Sequence, residues 1–179
     1  DLPFLADLKS AMDGVGIEPS MMYIRRENGV ALPPGTDGPW ETMSIEKRIR
    51  FLRARAQEAN STQRDRVGEY EAFIRLSYAY LREAWESAVE EVLLCGVVKR
   101  LDRAVHTRQV KYLVGRQITE DQRRVMDSGM SVSSGRFRGH VQAAADNGRP
   151  IPTPQQFSDD VAALSSWIEA IRASQAPAQ

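Results

Sequence analysis

Arg82 and Glu86 stand four residues apart in Leu81-Arg82-Glu83-Ala84-Trp85-Glu86-Ser87-Ala88-Val89-Glu90-Glu91-Val92-Leu93-Leu94, a run that reads as a strongly amphipathic helix. In a helix that spacing puts a guanidinium and a carboxylate on one face. Metal-free cleavage of RNA needs a base for the 2′-hydroxyl, an acid for the leaving oxygen and a cation for the charge developing on phosphorus. Arg suits the phosphate because its forked donors are permanently charged, and Glu can share the proton work with His. His140, in Arg136-Phe137-Arg138-Gly139-His140, is the imidazole that a loop would deliver to such a face. The plainer reading is a solvated i,i+4 ion pair contributing about 0.2–0.5 kcal/mol, beside an exposed loop histidine.

Other candidates concern binding rather than bond breaking. Arg136, Arg138 and His140 form a set able to hold a phosphate while Phe137 stacks on a base, as in single-strand binders. His106 lies near Arg103, Arg108 and Lys111, where His106 and Arg108 are placed for phosphate contact. From Ser44 to Ala56 there are five bases, Arg48 among them, against Glu46 alone. That stretch is either a solvated helix face or a nucleic-acid track. Trp40, Trp85 and Trp167 read as packing anchors.

The elements that must position these groups are mainly helical. Ser44 is set to cap a helix with Ile45, Ile49, Leu52 and Ala56 at 4-3-4 spacing. Polar residues 57–66 either continue it or form a turn. A long helix from about Val67 to Leu94 carries Tyr70, Ile74, Leu81, Trp85, Ala88 and Val92 on one stripe, with Gly96 as its stop. Residues 97–117 are basic and ambiguous. Thr119 with Gln122 makes a capping box for a helix to about Met130, and Ser131 to Arg149 reads as a loop with at most one turn near Gln142–Ala145. Thr153, Pro154 and Gln156 start a last helix with Phe157, Val161, Leu164, Ile168 and Ile171 facing a core. The tail 173–179 should fray.

Ahead of Pro33–Pro39, a boundary by its Pro and Gly content, lies a different unit. A short helix over 1–13 sets Leu2, Leu5, Leu8 and Met12 on one side, and Met21-Met22-Tyr23-Ile24 reads as a buried strand. Either it pairs with Val30-Ala31-Leu32 as a hairpin, or its sheet partners lie outside the chain; the second is preferred. The expected fold class is mainly α, a helical hairpin or bundle over 43–179 preceded by an αβ segment over 1–42.

At 179 residues the chain suits one domain with a real core, or one domain plus an appendage, and its 24 acids balance 24 bases. No overall field draws in nucleic acid or membrane, although Lys99 to Arg124 holds eight bases against three acids. The single Cys95, in Val92-Leu93-Leu94-Cys95, rules out an internal disulfide and suits a reducing, cytoplasmic setting. Nothing approaches the ~20 apolar residues of a membrane span. The chain holds no phosphate loop of the G-x-x-x-x-G-K-[ST] type and no G-x-G-x-x-G after a strand. One Cys and two His cannot build a structural zinc cage. The opening Asp1-Leu2-Pro3 reads as a cut through a longer protein.

Three segments carry a resemblance. Gly38-Pro39-Trp40-Glu41-Thr42-Met43-Ser44-Ile45-Glu46-Lys47-Arg48-Ile49 is similar to G-L-P-W-D-x-M-x-V-K-K-R-I. Leu81 to Leu94 is similar to L-R-E-x-W-E-R-A-V-E-E-x-L-L, and Gly139-His140 with Gln142-Ala143-Ala144 to G-H-D-Q-A-A. These patterns belong to the C-terminal part of large bacterial AAA-family ATPases of the ABC/SMC type, and those ATPases resemble the RloC-like anticodon-nuclease proteins of phage defence. The resemblance spans most of residues 1–172. It implies a helical RNase module joined to an ATPase head, with the αβ segment as the remnant of that head. It further implies Arg82, Glu86 and His140 as catalytic residues acting on tRNA or other RNA. ATP and Mg would act in the full-length protein and not within this chain, and the dimer would be a homodimer through the full-length protein. Val141 stands where the pattern has Asp, which removes an orienting partner for the imidazole. The alternative reading is a non-catalytic helical module for dimerisation or partner docking of the ATPase.

Overall fold

The computed structural model describes residues 39–100, 104–137 and 150–175, together with scattered positions before residue 39. Four helices dominate: α1 (Ile45–Asp65), α2 (Val67–Ala88), α3 (Glu120–Phe137) and α4 (Pro154–Gln175). The mainly α class and the helical bundle are as the periodicity required. No helix among the described residues is long and apolar enough to cross a membrane.

Cross-helix contacts define how the four run. Arg48 reaches the Glu83 carbonyl and Arg55 reaches Ser77, so α1 and α2 are antiparallel neighbours. On α3, Arg136 meets Tyr78 and Gly129 meets Trp85, which sets α3 antiparallel to α2. Arg172 pairs with Glu46 and Arg53 bonds Ser165, closing the ring with α4 antiparallel to α1. Across the diagonal α2 and α4 run parallel. Tyr70 donates to the Pro152 carbonyl at 2.7 Å and Tyr78 to Asp160 at 2.7 Å, while the Trp85 and Trp167 rings meet edge to face at 5.5 Å. The result is an up-down-up-down four-helix bundle.

Its core is the one the 3.6-residue period marks out. Ile45, Leu52 and Ala56 of α1 are buried, as are Tyr70, Ile74, Leu81, Trp85, Ala88 and Val92 on α2 and its continuation. The α4 stripe Phe157, Val161, Leu164, Ile168 and Ile171 is buried without exception. Both sequence-read capping boxes form. Thr119 and Gln122 exchange bonds of 2.9 and 3.1 Å, and Thr153 and Gln156 exchange bonds of 2.9 and 3.2 Å.

Of the two readings left open for 57–66, continuation of the helix is the one found: residues 57–65 belong to α1, with Ala59 and Thr62 buried against the bundle. Other expectations change. The helix expected to stop near Met130 runs on to Phe137, because Ser133 is fully buried and Arg136 is anchored on Asp160 at 2.7 Å. The helix expected over 67–94 stays α-helical only to Ala88, then forms a π turn over Val89–Leu93 closed by Leu94 N–H on the Val89 carbonyl. Cys95 and Gly96 follow at positive φ of 54° and 69°, so the stop expected at Gly96 begins one residue earlier. Ser44 takes the cap position of α1 but makes no side-chain cap bond. Glu91 accepts the Ile45 N–H in its place, at 3.1 Å.

Before residue 39, Phe4, Leu8, Ala11 and Met12 are helical, in line with the expected first helix. Val30–Ala31 (β2) pairs antiparallel with Arg26–Glu27 (β1), not with Met21–Ile24, of which only Ile24 is described, outside any strand. With two residues between β1 and β2, closing this hairpin costs the least loop entropy available.

Gly129 has a tertiary reason. A Cβ there would press into Cε2 and Cζ2 of Trp85, whereas a Cβ on Gly68 meets nothing within 4 Å. Gly129→Ala is expected to lose about 1–3 kcal/mol through overpacking, and Gly68→Ala to be neutral or up to about 1 kcal/mol stabilising; urea denaturation checks both. Burial also pushes the Tyr70 phenol from 10.0 up to about 12. The folded protein thus favours the neutral phenol, a contribution complete below about pH 10 and lost as pH rises towards about 12. Tyr70→Phe should flatten the fall in denaturant midpoint across that window.

Candidate functional site

The last turns of α2 gather four charged side chains. Arg82 Nη2 lies 3.3 Å from Glu86 Oε1, the pair that helical spacing predicts. Arg100, from the connection that follows α2, comes back to Glu86 Oε2 at 2.5 Å and to Glu90 Oε1 at 3.3 Å. Its backbone N–H also donates to Glu90 Oε2 at 3.0 Å. Glu86 is therefore held between two guanidiniums and is only 21% exposed, unlike a solvated surface carboxylate. Arg82 Nε is buried and has no hydrogen-bond partner.

The π turn shapes this end of the helix. Its extra residue per turn lets adjacent carboxylates serve different elements. Glu90 faces Arg100, while Glu91 caps α1 through Ile45. Partial burial in that contact pushes the Glu91 carboxyl above its usual range, against the pull of the Ile45 N–H and Arg48. The connection is pinned at further points. Arg116 Nη1 donates to the Val92 carbonyl at 3.0 Å, and His106 N–H to the Val97 carbonyl at 2.8 Å. The first of these satisfies a carbonyl that the helix end would otherwise leave open.

Of the catalytic set, Arg82 and Glu86 are together; His140 lies outside the described residues, as does Arg138. Phe137 ends α3, and the neighbouring Arg136 sits on Tyr78, one helical turn from Arg82 along α2. Arg136 is engaged by Asp160 at 2.7 Å and by the Tyr78 hydroxyl, so its guanidinium holds α3 to α4 and α2. The Tyr78 phenol, buried and donating to Asp160, is raised above its ordinary pKa mainly by desolvation.

Arg48 changes role. It is 7% exposed, and its guanidinium donates to the carbonyls of Met43 and Glu41 at 3.1 Å each and of Glu83 at 3.5 Å, over the Trp40 ring. Burial lowers its pKa, with Glu91 and Glu83 opposing. A guanidinium so committed is not available to a phosphate, so the nucleic-acid contact expected of Arg48 has no exposed group to make it. The sequence pattern of alternating bases could not separate inward from outward arginines. His106 caps the 3-10 helix Thr107–Leu113, half-buried, and Arg108 on that helix is exposed. Arg100 and Glu90 were missed. Only the charge excess of Lys99 to Arg124 hinted at a basic connection, and nothing local aims one of its arginines back at α2.

Among the described residues no group of His, Cys, Asp and Glu is arranged to hold a metal ion.

Arg48→Ala should cost about 2–4 kcal/mol, since three carbonyls lose their donor and Trp40 its stacked cation. Thermal and urea unfolding of the variant measure this; a loss below 0.5 kcal/mol, the scale of ordinary surface substitutions, would contradict the internal role.

Comparison with protein-family models, with curated proteins and with solved structures finds no match.

Proposed function

We propose that this chain is the C-terminal helical effector module of a defence-related ATPase of the ABC/SMC type, acting on RNA at the α2 face that carries Arg82 and Glu86. The observation behind this reading is the site's unfinished state. Arg82 is paired with Glu86 through Nη2 while its Nε is a buried donor with no acceptor. An unmet buried donor costs about 1–3 kcal/mol, and a phosphate bound at this face supplies the missing oxygen. The motif resemblance assigns the same two residues, with His140, to phosphodiester cleavage.

In that reaction Glu86 and His140 divide the proton work. One takes the proton of the 2′-hydroxyl as its oxygen bonds to phosphorus. The other delivers a proton to the 5′-oxygen as the P–O5′ bond breaks, leaving a 2′,3′-cyclic phosphate and a 5′-hydroxyl. Arg82 carries the charge on the phosphorane oxygens.

A second reading, docking to the ATPase head or dimerisation, has its own support. The connection between α2 and α3 leaves Val105, Val110, Tyr112 and Val114 exposed, Val114 by 81%. Exposed apolar side chains gathered on one connection are a candidate protein contact.

Incubation with total tRNA, in the presence of the ATPase head with ATP and Mg, separates the two. Cleavage is expected to yield cyclic-phosphate ends and to fall at least about 100-fold in Glu86→Gln and in His140→Ala. Cleavage indifferent to both substitutions, or none with head and nucleotide supplied, would sink the nuclease. Loss of head binding in a Val110→Asp, Val114→Asp variant would then favour docking.

A further inference from the structure

Resting on that RNA reading, we infer that Arg100 is a second phosphate-binding cation, parked on Glu86 and Glu90 in the free protein and handed to the substrate when RNA enters. Three observations carry this. Arg100 is 51% exposed, whereas its carboxylate partners are 21% and 22% exposed, so the cation is the member at the rim. Its guanidinium is one of several ties that hold the connection in place. The Arg100 N–H on Glu90, the Arg116 guanidinium on the Val92 carbonyl and the His106 N–H on the Val97 carbonyl all persist if the side chain leaves. And Glu86 is doubly held. Arg82 is fixed to it by helical spacing, so Arg100 is the cation whose departure frees a carboxylate oxygen for proton transfer.

The exchange is chemically even-handed. A phosphodiester offers the forked guanidinium the same paired oxygens as a carboxylate. The ion pairs to Glu86 and Glu90 are exchanged for a forked pair to the phosphate, while Glu90 keeps the backbone N–H of Arg100. Binding and unblocking thus become a single event, with the base exposed only when phosphate is present. Arg100 acts on substrate through its charge, and on Glu86 as a positioning residue.

The test uses the full chain with its ATPase head and a tRNA substrate. Arg100→Ala should raise KM roughly 10- to 100-fold, the scale of a lost charged hydrogen bond, without lowering kcat. Arg100→Lys should recover part of that loss. Glu90→Gln weakens the parking site while keeping an acceptor for the N–H, so KM should fall. A purely structural tie predicts otherwise: Arg100→Ala and Glu90→Gln would both raise KM and lower Tm together, and that result overturns the inference. If the wild-type chain cleaves no RNA, the parent reading fails, yet the exchange is still read by NMR. The Arg100 Nε–Hε resonance should then move on titration with inorganic phosphate, and at lower phosphate in Glu90→Gln. A resonance that stays still at every phosphate concentration overturns the exchange by itself.

Discussion

The packing of Trp85 is the constraint on which the rest of this bundle depends. Its ring is 1% exposed, lies edge to face with Trp167 of α4 and presses on the backbone of α3 at Gly129. A buried indole removes some 150–250 Å² from water, and here one ring sets the spacing of three helices. Trp167 in turn donates its indole N–H to the Gln122 carbonyl at 2.8 Å, fixing the start of α3. Trp85 lies one turn from Arg82 and directly beside Glu86. The face proposed to act on RNA is thus built beside a fully buried part of the core, as a site needing fixed geometry requires.

The second organising feature is where the arginines go. A chain with as many acids as bases can sort them into two surfaces. Part of the positive charge instead serves the interior. Arg48 gathers three carbonyls beneath Trp40, and Arg55 threads between Phe51, Phe73 and Tyr80 to reach Ser77. Arg136 ties Tyr78 to Asp160. Each stem packs against apolar surface while the head finds oxygen, so burial of the cation is compensated by hydrogen bonds. Facing outward just after α2 are Lys99 and Arg100.

The proposed chemistry sits at the junction of these two features. The rigid core presents Arg82 and Glu86, and the π turn separates the duties of Glu90 and Glu91. The connection that follows supplies Arg100, a cation more exposed than Arg82. Such a division between a fixed pair and a movable partner from a loop is the usual arrangement where binding must change the state of a site.

Local pattern was sufficient for much of this molecule. The stripes of α1, α2 and α4 were readable because burial on one side of a helix imposes the 3.6-residue period. The boxes at Thr119–Gln122 and Thr153–Gln156 were readable because capping is settled within four residues. Arg82 and Glu86 could be paired from spacing alone for the same reason. Other decisions were made between elements far apart in the chain. Ser44 lost its capping role to Glu91, α3 outran its expected end because Arg136 found Asp160, and Arg48 turned inward to carbonyls from two other segments. Arg100 folded back on Glu86 across fourteen positions. None of these leaves a periodic trace, because the partner of a charged side chain is chosen by packing in three dimensions and not by its neighbours in sequence.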